Sequence, residues 1–191
     1  MAGTTLNVIS ICGSLRKGSY NAALARALPS LAPPGMAIKP APAWDKMPIY
    51  NFDIQNSAGI PAEVVAWADA IRGADGVIIV SPEYNWSIPG GLKNAIDWAS
   101  RLNDVPFKDK PIALQSCSGG LLGGSRMQYH LRMTLTTLDA FLFGKPEVFV
   151  NFSAKKFDEK TLELIDQPTI DMVKQQLAGF EKFVRRMNGS K

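Results

Sequence analysis

The 191 residues carry 21 Lys and Arg against 17 Asp and Glu, a formal charge of +4, with 46% hydrophobic and 20% charged residues. That is the length of one domain, residues 1–191, able to bury one sizeable core, and a composition opposed to disorder. A single histidine, His130, and two cysteines, Cys12 and Cys117, exclude a zinc cage, any Ser-His-Asp triad that does not use His130, and a disulfide-stapled secreted scaffold.

Met1 to Asn7 lacks the basic-then-apolar pattern of a signal peptide, and apolar runs such as Val77 to Val80 are too short to span a bilayer. A cytoplasmic protein with no membrane span and no metal site is expected. The basic residues Lys182, Arg185, Arg186 and Lys191 read as a solvated helix face rather than a nucleic-acid surface.

Leu6 to Cys12 (LNVISIC) reads as a buried strand ending at Gly13. Asn21 to Leu31 follows as a helix with Ala22, Leu24, Ala25 and Leu28 on its apolar face, stopped by Pro33-Pro34. Met36 to Pro40 is a weak strand suited to a sheet edge. Trp44 to Gly59 has no clear period and is expected to be a long loop. Pro61 opens the next helix, with Val64, Val65, Ala68 and Ile71 along its apolar side. Gly76 to Ser81 (GVIIVS) is almost wholly apolar, as a parallel strand covered on both faces requires.

Gly90 to Arg101 places Leu92, Ala95, Ile96 and Ala99 at helical spacing. Pro111 to Ser116 is another buried strand, Ser125 to Ala140 a long helix, Glu147 to Val150 a last strand and Pro168 to Arg186 a closing helix. Five strands separated by helices make successive βαβ units, hence an α/β fold with three layers, α/β/α, around a parallel sheet. Ligands of such sheets bind beyond the carboxyl ends of the strands, which singles out the loops 13–21, 82–91 and 117–124.

The first loop, Gly13-Ser14-Leu15-Arg16-Lys17-Gly18-Ser19-Tyr20-Asn21, enters a helix N-terminus, where unpaired amides and the helix dipole favour a phosphate. Ser14, Ser19 and Asn21 offer short hydrogen-bonding groups, and Arg16 and Lys17 bring charge that capping alone does not need. Ser19 and Tyr20 stand where a Walker A sequence has Lys and Ser/Thr, and no G-x-G-x-x-G is present.

The second loop, Pro82 to Gly91, joins two stiffening prolines to the flat rings of Tyr84 and Trp86 and the amide of Asn85, a set suited to a planar heteroaromatic ligand. Taken singly, Trp86 reads as a packing residue and Glu83 as a surface charge. The third loop has four glycines in the six residues from Gly119, which lets backbone approach a ligand closely. Cys12 and Cys117 read as small buried hydrophobes, since no His/Asp constellation is available to activate them.

The pairing of GSLRKGSYNAALARAL (13–28) with PEYNWSIPGGLKNAIDWASR (82–101) resembles the NADPH-dependent FMN reductase family, which includes chromate, quinone and azo-dye reductases of flavodoxin-like fold. The similarity runs from Leu6 to about Val150. The resemblance implies a five-stranded parallel sheet of order 2-1-3-4-5 and a non-covalent FMN in each subunit. By position, Ser14, Arg16, Ser19 and Asn21 would hold the phosphate, Pro82, Glu83, Tyr84 and Asn85 would flank the isoalloxazine, and Ser116 with Gly119 would close the other side. A homodimer or homotetramer is also implied, with Arg126, Tyr129 and Glu147 in an interfacial hydrogen-bond network. From the residues alone, Arg126 and Tyr129 are i, i+3 neighbours on one helix, and His130 is a surface or interface residue.

The flavin would carry the chemistry, so no catalytic side chain is expected. NAD(P)H, the co-substrate, would give a hydride to flavin N5 and leave, and a quinone, chromate, azo compound or free flavin would then take the electrons in the same space, a ping-pong scheme. Arg101 would bias an open pocket toward anionic acceptors or serve as a helix C-terminal charge. The rival reading is a flavodoxin-type electron carrier without small-molecule turnover. A pI near 9.1 and the PEYN sequence argue against it.

Overall fold

In the computed structural model, which describes residues 4–189, the strands build one parallel sheet. Lys191 of the C-terminal basic cluster lies outside the described residues, as do Met1 to Gly3 of the N-terminal stretch. β1 (Leu6–Cys12), β3 (Gly76–Val80) and β4 (Pro111–Cys117) form the centre, and β2 (Met36–Pro40) forms one edge. The order is β2-β1-β3-β4-β5, as expected, but the last position is shared by two short strands. β5 (Phe141–Leu142) pairs with Pro111 and Ile112, and β6 (Val148–Val150) pairs with Gln115 to Cys117. The sheet therefore has six strands rather than five, and the extra one, two residues long, is too short to leave a periodic signal.

Alternation along the central strands feeds two cores. Ile9, Ile11, Val77, Ile79, Ile112 and Leu114 pack beneath α3 (Ala62–Gly73), α4 (Gly90–Ala99) and α5 (Ser125–Thr136). Val8, Ile78, Val80, Ala113 and Cys117 face α1 (Tyr20–Leu31) and α6 (Gln167–Asn188). Every residue of β3 and β4 is buried, which is why both read as nearly continuous apolar runs. α4 buries Leu92, Ala95, Ile96 and Ala99 as its spacing requires, together with Trp98.

Several helix readings need correction. α1 turns Ala23, Leu24 and Leu28 inward, leaving Ala22 and Ala25 half-buried on its flank. On α3, Val64, Ala68 and Ile71 are buried, but Val65 is exposed and Trp67 packs in its stead. α2 (Phe52–Ala58) lies inside the segment read as a loop. It buries no residue, so it has no apolar period. Its ends are set locally, by the Asn51 side chain accepting from the Asp53 amide at 2.8 Å and by Gly59 at φ 82°. α4 stops at Ala99, so Arg101 lies just past its end. α5 stops four residues short of Ala140 because Asp139 turns left-handed at φ 57° and the Ala140 amide folds back to the Leu135 carbonyl at 3.1 Å. Arg185 is not part of a purely solvated face. It pairs with Glu181 at 2.9 Å and donates to the carbonyls of Thr4 and Gly35, both at 3.1 Å.

The longest helix, α6, opens on Asp166, whose carboxylate accepts from the Thr169 amide at 3.1 Å. The Thr169 hydroxyl first, and Lys156 with it, hold the Asp166 carboxyl below the usual carboxylate range. A carboxyl lowered in the folded state stabilises above its unfolded pKa, and that contribution is lost as pH falls through the folded value. Asp166→Ala is therefore expected to cost about 1 kcal/mol at pH 7. Urea midpoints of wild type and variant should differ at pH 7 and converge below the usual carboxylate range.

Candidate functional site

The three loops converge at the carboxyl ends of β1, β3 and β4 on a cavity of about 200 Å³. Ser14, Arg16, Ser19 and Asn21 line it from the first loop, Pro82, Glu83 and Tyr84 from the second, and Gly119 from the third. Lys17 is exposed and outside the lining. Close approach of the first loop to β3 depends on Gly13, where a Cβ would sit 2.3 Å from Ser81 Oγ. Ser19 is the N-cap of α1, its hydroxyl accepting from the Ala22 amide at 3.3 Å, so one residue both caps the helix and borders the cavity. Tyr20 and Asn21, whose amides begin α1 without an intrahelical acceptor, line the cavity together with Arg16.

Asn21 is buried, and both ends of its amide are engaged. Nδ2 donates to the Cys117 carbonyl at 3.0 Å, and Oδ1 accepts from the Cys117 amide at 2.8 Å. The side chain thus stitches the end of β4 to the start of α1 and fixes the spacing between the first and third loops. Ser118 and Ser153 also line the cavity and escaped the sequence reading. Ser153 follows β6 in a 3₁₀ turn (Ser153–Lys155), so the loop after the last strand is a fourth site loop, legible by the same carboxyl-end rule.

The second loop is a tight hairpin. The Tyr84 amide donates to the Ser87 carbonyl and the Ser87 amide to the Tyr84 carbonyl, each at 3.0 Å. Its two central residues, Asn85 and Trp86, both adopt positive φ, 48° and 67°. That is a type I′ turn, familiar for Asn at the first position and costly for Trp at the second. Trp86 is 66% exposed, so it is no core packing residue.

α5 holds the hairpin in place. Arg126 Nε donates to Glu83 Oε1 at 2.6 Å, its Nη2 reaches the same oxygen, and the Met127 amide donates to Glu83 Oε2 at 3.3 Å. The Arg126 guanidinium also lies 4.3 Å from the Trp86 ring centroid, a cation–π contact. One turn on, His130 Nδ1 lies 3.0 Å from Ser87 Oγ. Glu83 is consequently a largely buried, neutralised carboxylate, with a side chain 9% exposed, rather than a surface charge.

Other expected residues stand apart. Asn85 is exposed at the hairpin tip and outside the cavity lining. Ser116 is fully buried behind the cavity, donating to the Gly123 carbonyl at 2.7 Å and accepting from Gln128 Nε2 at 2.8 Å. Arg101 follows the far end of α4, with its guanidinium 5.4 Å from the Tyr50 ring centroid, and borders a different cavity with Lys93 and Thr134. Ten helical residues, roughly 15 Å of rise, separate that end from the second loop. Arg126 is committed within the chain to Glu83, while the Tyr129 hydroxyl lies 3.5 Å from Glu147 on the exposed face of α5.

Burial pushes the Cys117 thiol far up and the Cys12 thiol up as well, so both stay protonated at neutral pH. Among the described residues both cysteines are free.

Arg126→Ala removes the salt bridge and the cation–π contact together. A loss of about 1–2 kcal/mol of local stability should speed hydrogen exchange at the Tyr84 and Ser87 amides about tenfold. Exchange in β1 and β3 should stay as in wild type. Unchanged protection of the hairpin would show that α5 does not hold it.

A family model described as NADPH-dependent FMN reductase matches residues 6–155. The chain is 50% identical over 182 residues to a quinone reductase of Escherichia coli strain K12, covering 95% of this chain and 97% of that protein. It is 42% identical over 184 residues to an NAD(P)H-dependent FMN reductase of Pseudomonas aeruginosa, covering 96% and 98%. Among solved structures, FerB, a flavoenzyme NAD(P)H:(acceptor) oxidoreductase from Paracoccus denitrificans, superposes with a TM-score of 0.85 at 29% identity, over 96% of this chain and 99% of that one. The resemblance carried by the first two loops thus extends over most of the chain, which belongs to the NADPH-dependent FMN reductase family.

Proposed function

We propose that the chain is an FMN-dependent NAD(P)H oxidoreductase acting on quinones, with the cofactor held in the cavity shared by the first, second and third loops. The observation that carries the reading is the chemistry of that cavity. One half is basic and rich in donors, from Ser14, Arg16, Ser19 and the start of α1, as a phosphate requires. Its one acid, Glu83, is already neutralised by Arg126. At Gly119, a Cβ would meet no protein atom within 4 Å, so packing alone does not demand glycine there, and the missing side chain leaves backbone open to a ligand. These residues fit FMN.

Bound FMN supplies hydride acceptance from NAD(P)H and electron delivery to the acceptor, in alternation. The chain's own task is positional. Arg16, Ser14 and Ser19 bind the phosphate, and Asn21 keeps the first and third loops at the spacing the cofactor spans. Pro82, Glu83 and Tyr84 present backbone and ring surface to the isoalloxazine, with Asn85 at the hairpin tip beside it. Ser116 acts from behind, fixing the glycine-rich loop through Gly123. With the half-buried Cys12 and the buried Cys117 both held protonated, neither thiol competes with the flavin as a nucleophile.

Chromate, azo compounds and free flavin are further acceptors consistent with such an open site. A homodimer or homotetramer would cover the exposed Trp86, Tyr129 and Met133, with Arg126, Tyr129 and Glu147 at the contact. Arg101 belongs to a binding surface only if a second copy brings it to the site. A cytoplasmic location accords with two free thiols, and among the described residues no helix is long and apolar enough to cross a membrane.

Arg16→Ala deletes a charge-assisted phosphate contact of about 1.5–3 kcal/mol and should raise the FMN dissociation constant by roughly one to two orders of magnitude. Initial rates with varied NAD(P)H and quinone should give parallel double-reciprocal lines. Undiminished FMN retention by the variant would remove the first loop from the phosphate site.

A further inference from the structure

A larger cavity, of about 430 Å³, lies on the other side of the first loop and shares only Ser14 with the cofactor cavity. Ala22, Ala25 and Pro29 of α1 form one wall, and the segment 40–44 forms the other. That segment is tied down. The Ala41 amide donates to the Ser10 carbonyl at 2.8 Å, and Trp44 Nε1 donates to the Cys12 carbonyl at 2.9 Å. The space is therefore preformed, mostly apolar, and within the size range of small-molecule sites.

Polar groups without protein partners face it. Ser10 is 7% exposed and lines the cavity, and its hydroxyl makes no hydrogen bond among the described residues. That hydroxyl is open to the cavity rather than sealed in the core, so it offers both a donor and an acceptor to a ligand that enters. Arg26 lines the same cavity, and its exposed guanidinium has no ion pair or hydrogen bond among the described residues. No acidic residue belongs to the lining. Pro29 has no N–H, so the Ala25 carbonyl on this wall lacks its usual helical donor.

We propose that this cavity is a second binding site, distinct from the cofactor cavity, for a small aromatic carboxylate whose ring lies against the proline and alanine walls, whose carboxylate pairs with Arg26, and whose polar ring substituent meets Ser10. One planar guanidinium matches a carboxylate bidentately, whereas a phosphate is served by the several donors gathered on the first loop. Burial keeps the neighbouring Cys12 thiol protonated, so no negative charge opposes the anion.

The test is calorimetric titration of the holoprotein with 4-hydroxybenzoate, accompanied by amide chemical-shift mapping. Saturable binding is expected, with shifts at Ala22, Arg26 and Ala41. Arg26→Gln, on the exposed rim, should weaken it about tenfold or more, and phenol should bind correspondingly less tightly than the acid. Ser10→Ala should weaken it several-fold, and Ala25→Phe, which fills the cavity, should abolish it while FMN is retained. Absence of saturable binding, indifference to Arg26→Gln, equal binding of phenol, or shifts confined to residues 82–87 and 118–120 would each overturn the proposal.

Discussion

A left-handed backbone at Asn85 and Trp86 is what aims the second loop at the site, and it persists because α5 grips the loop from behind. A non-glycine residue in that region costs about 1–3 kcal/mol. Glu83 gives the compensating force. Its carboxylate is tied to Arg126 and to the Met127 amide, and Arg126 in turn covers the Trp86 ring. The ion pair is only partly buried, with side chains 37% and 9% exposed, so its worth lies as much in fixing one geometry as in raw attraction. Placed at the start of α5 and repeated one turn later by His130 on Ser87, the contact converts an exposed hairpin into a defined wall.

The rest of the site is assembled on the same logic, with each loop braced by a neighbour. Gly13 lets the first loop lie against Ser81 at the end of β3, and Asn21 links that loop to the backbone of Cys117 at the end of β4. Ser116, though unexposed to the cavity, anchors the turn at Gly123 and is itself held by Gln128. Loops braced at the carboxyl ends of a parallel sheet, with both thiols held protonated, accord with our proposal that the chain positions a flavin whose ring carries the redox chemistry.

Much of this was legible in the sequence, and the limits have physical causes. The apolar runs at 6–12, 76–81 and 111–116 announced buried parallel strands because both faces of each are covered. β5 and α2 left no trace, one through brevity and the other because it buries nothing. The site loops could be found from residue types and strand ends, but not the division of labour within them. Ser116 and Gly119 were expected to close the same side of the ligand, yet Gly119 lines the cavity and Ser116 faces the interior. Likewise, the i, i+3 spacing of Arg126 and Tyr129 put both on one helix without revealing that Glu83, 43 residues away, claims Arg126. Long-range pairing of that kind has no local signal.

The central claim is that the braced loops hold a flavin which NAD(P)H reduces and a quinone reoxidises. Anaerobic stopped-flow mixing of the purified protein with NAD(P)H, followed by a quinone, tests it most directly. The flavin's visible absorption band should bleach at a rate no slower than turnover and return when quinone is added. A protein without that band, or one whose band survives NAD(P)H on the timescale of turnover, would contradict the account.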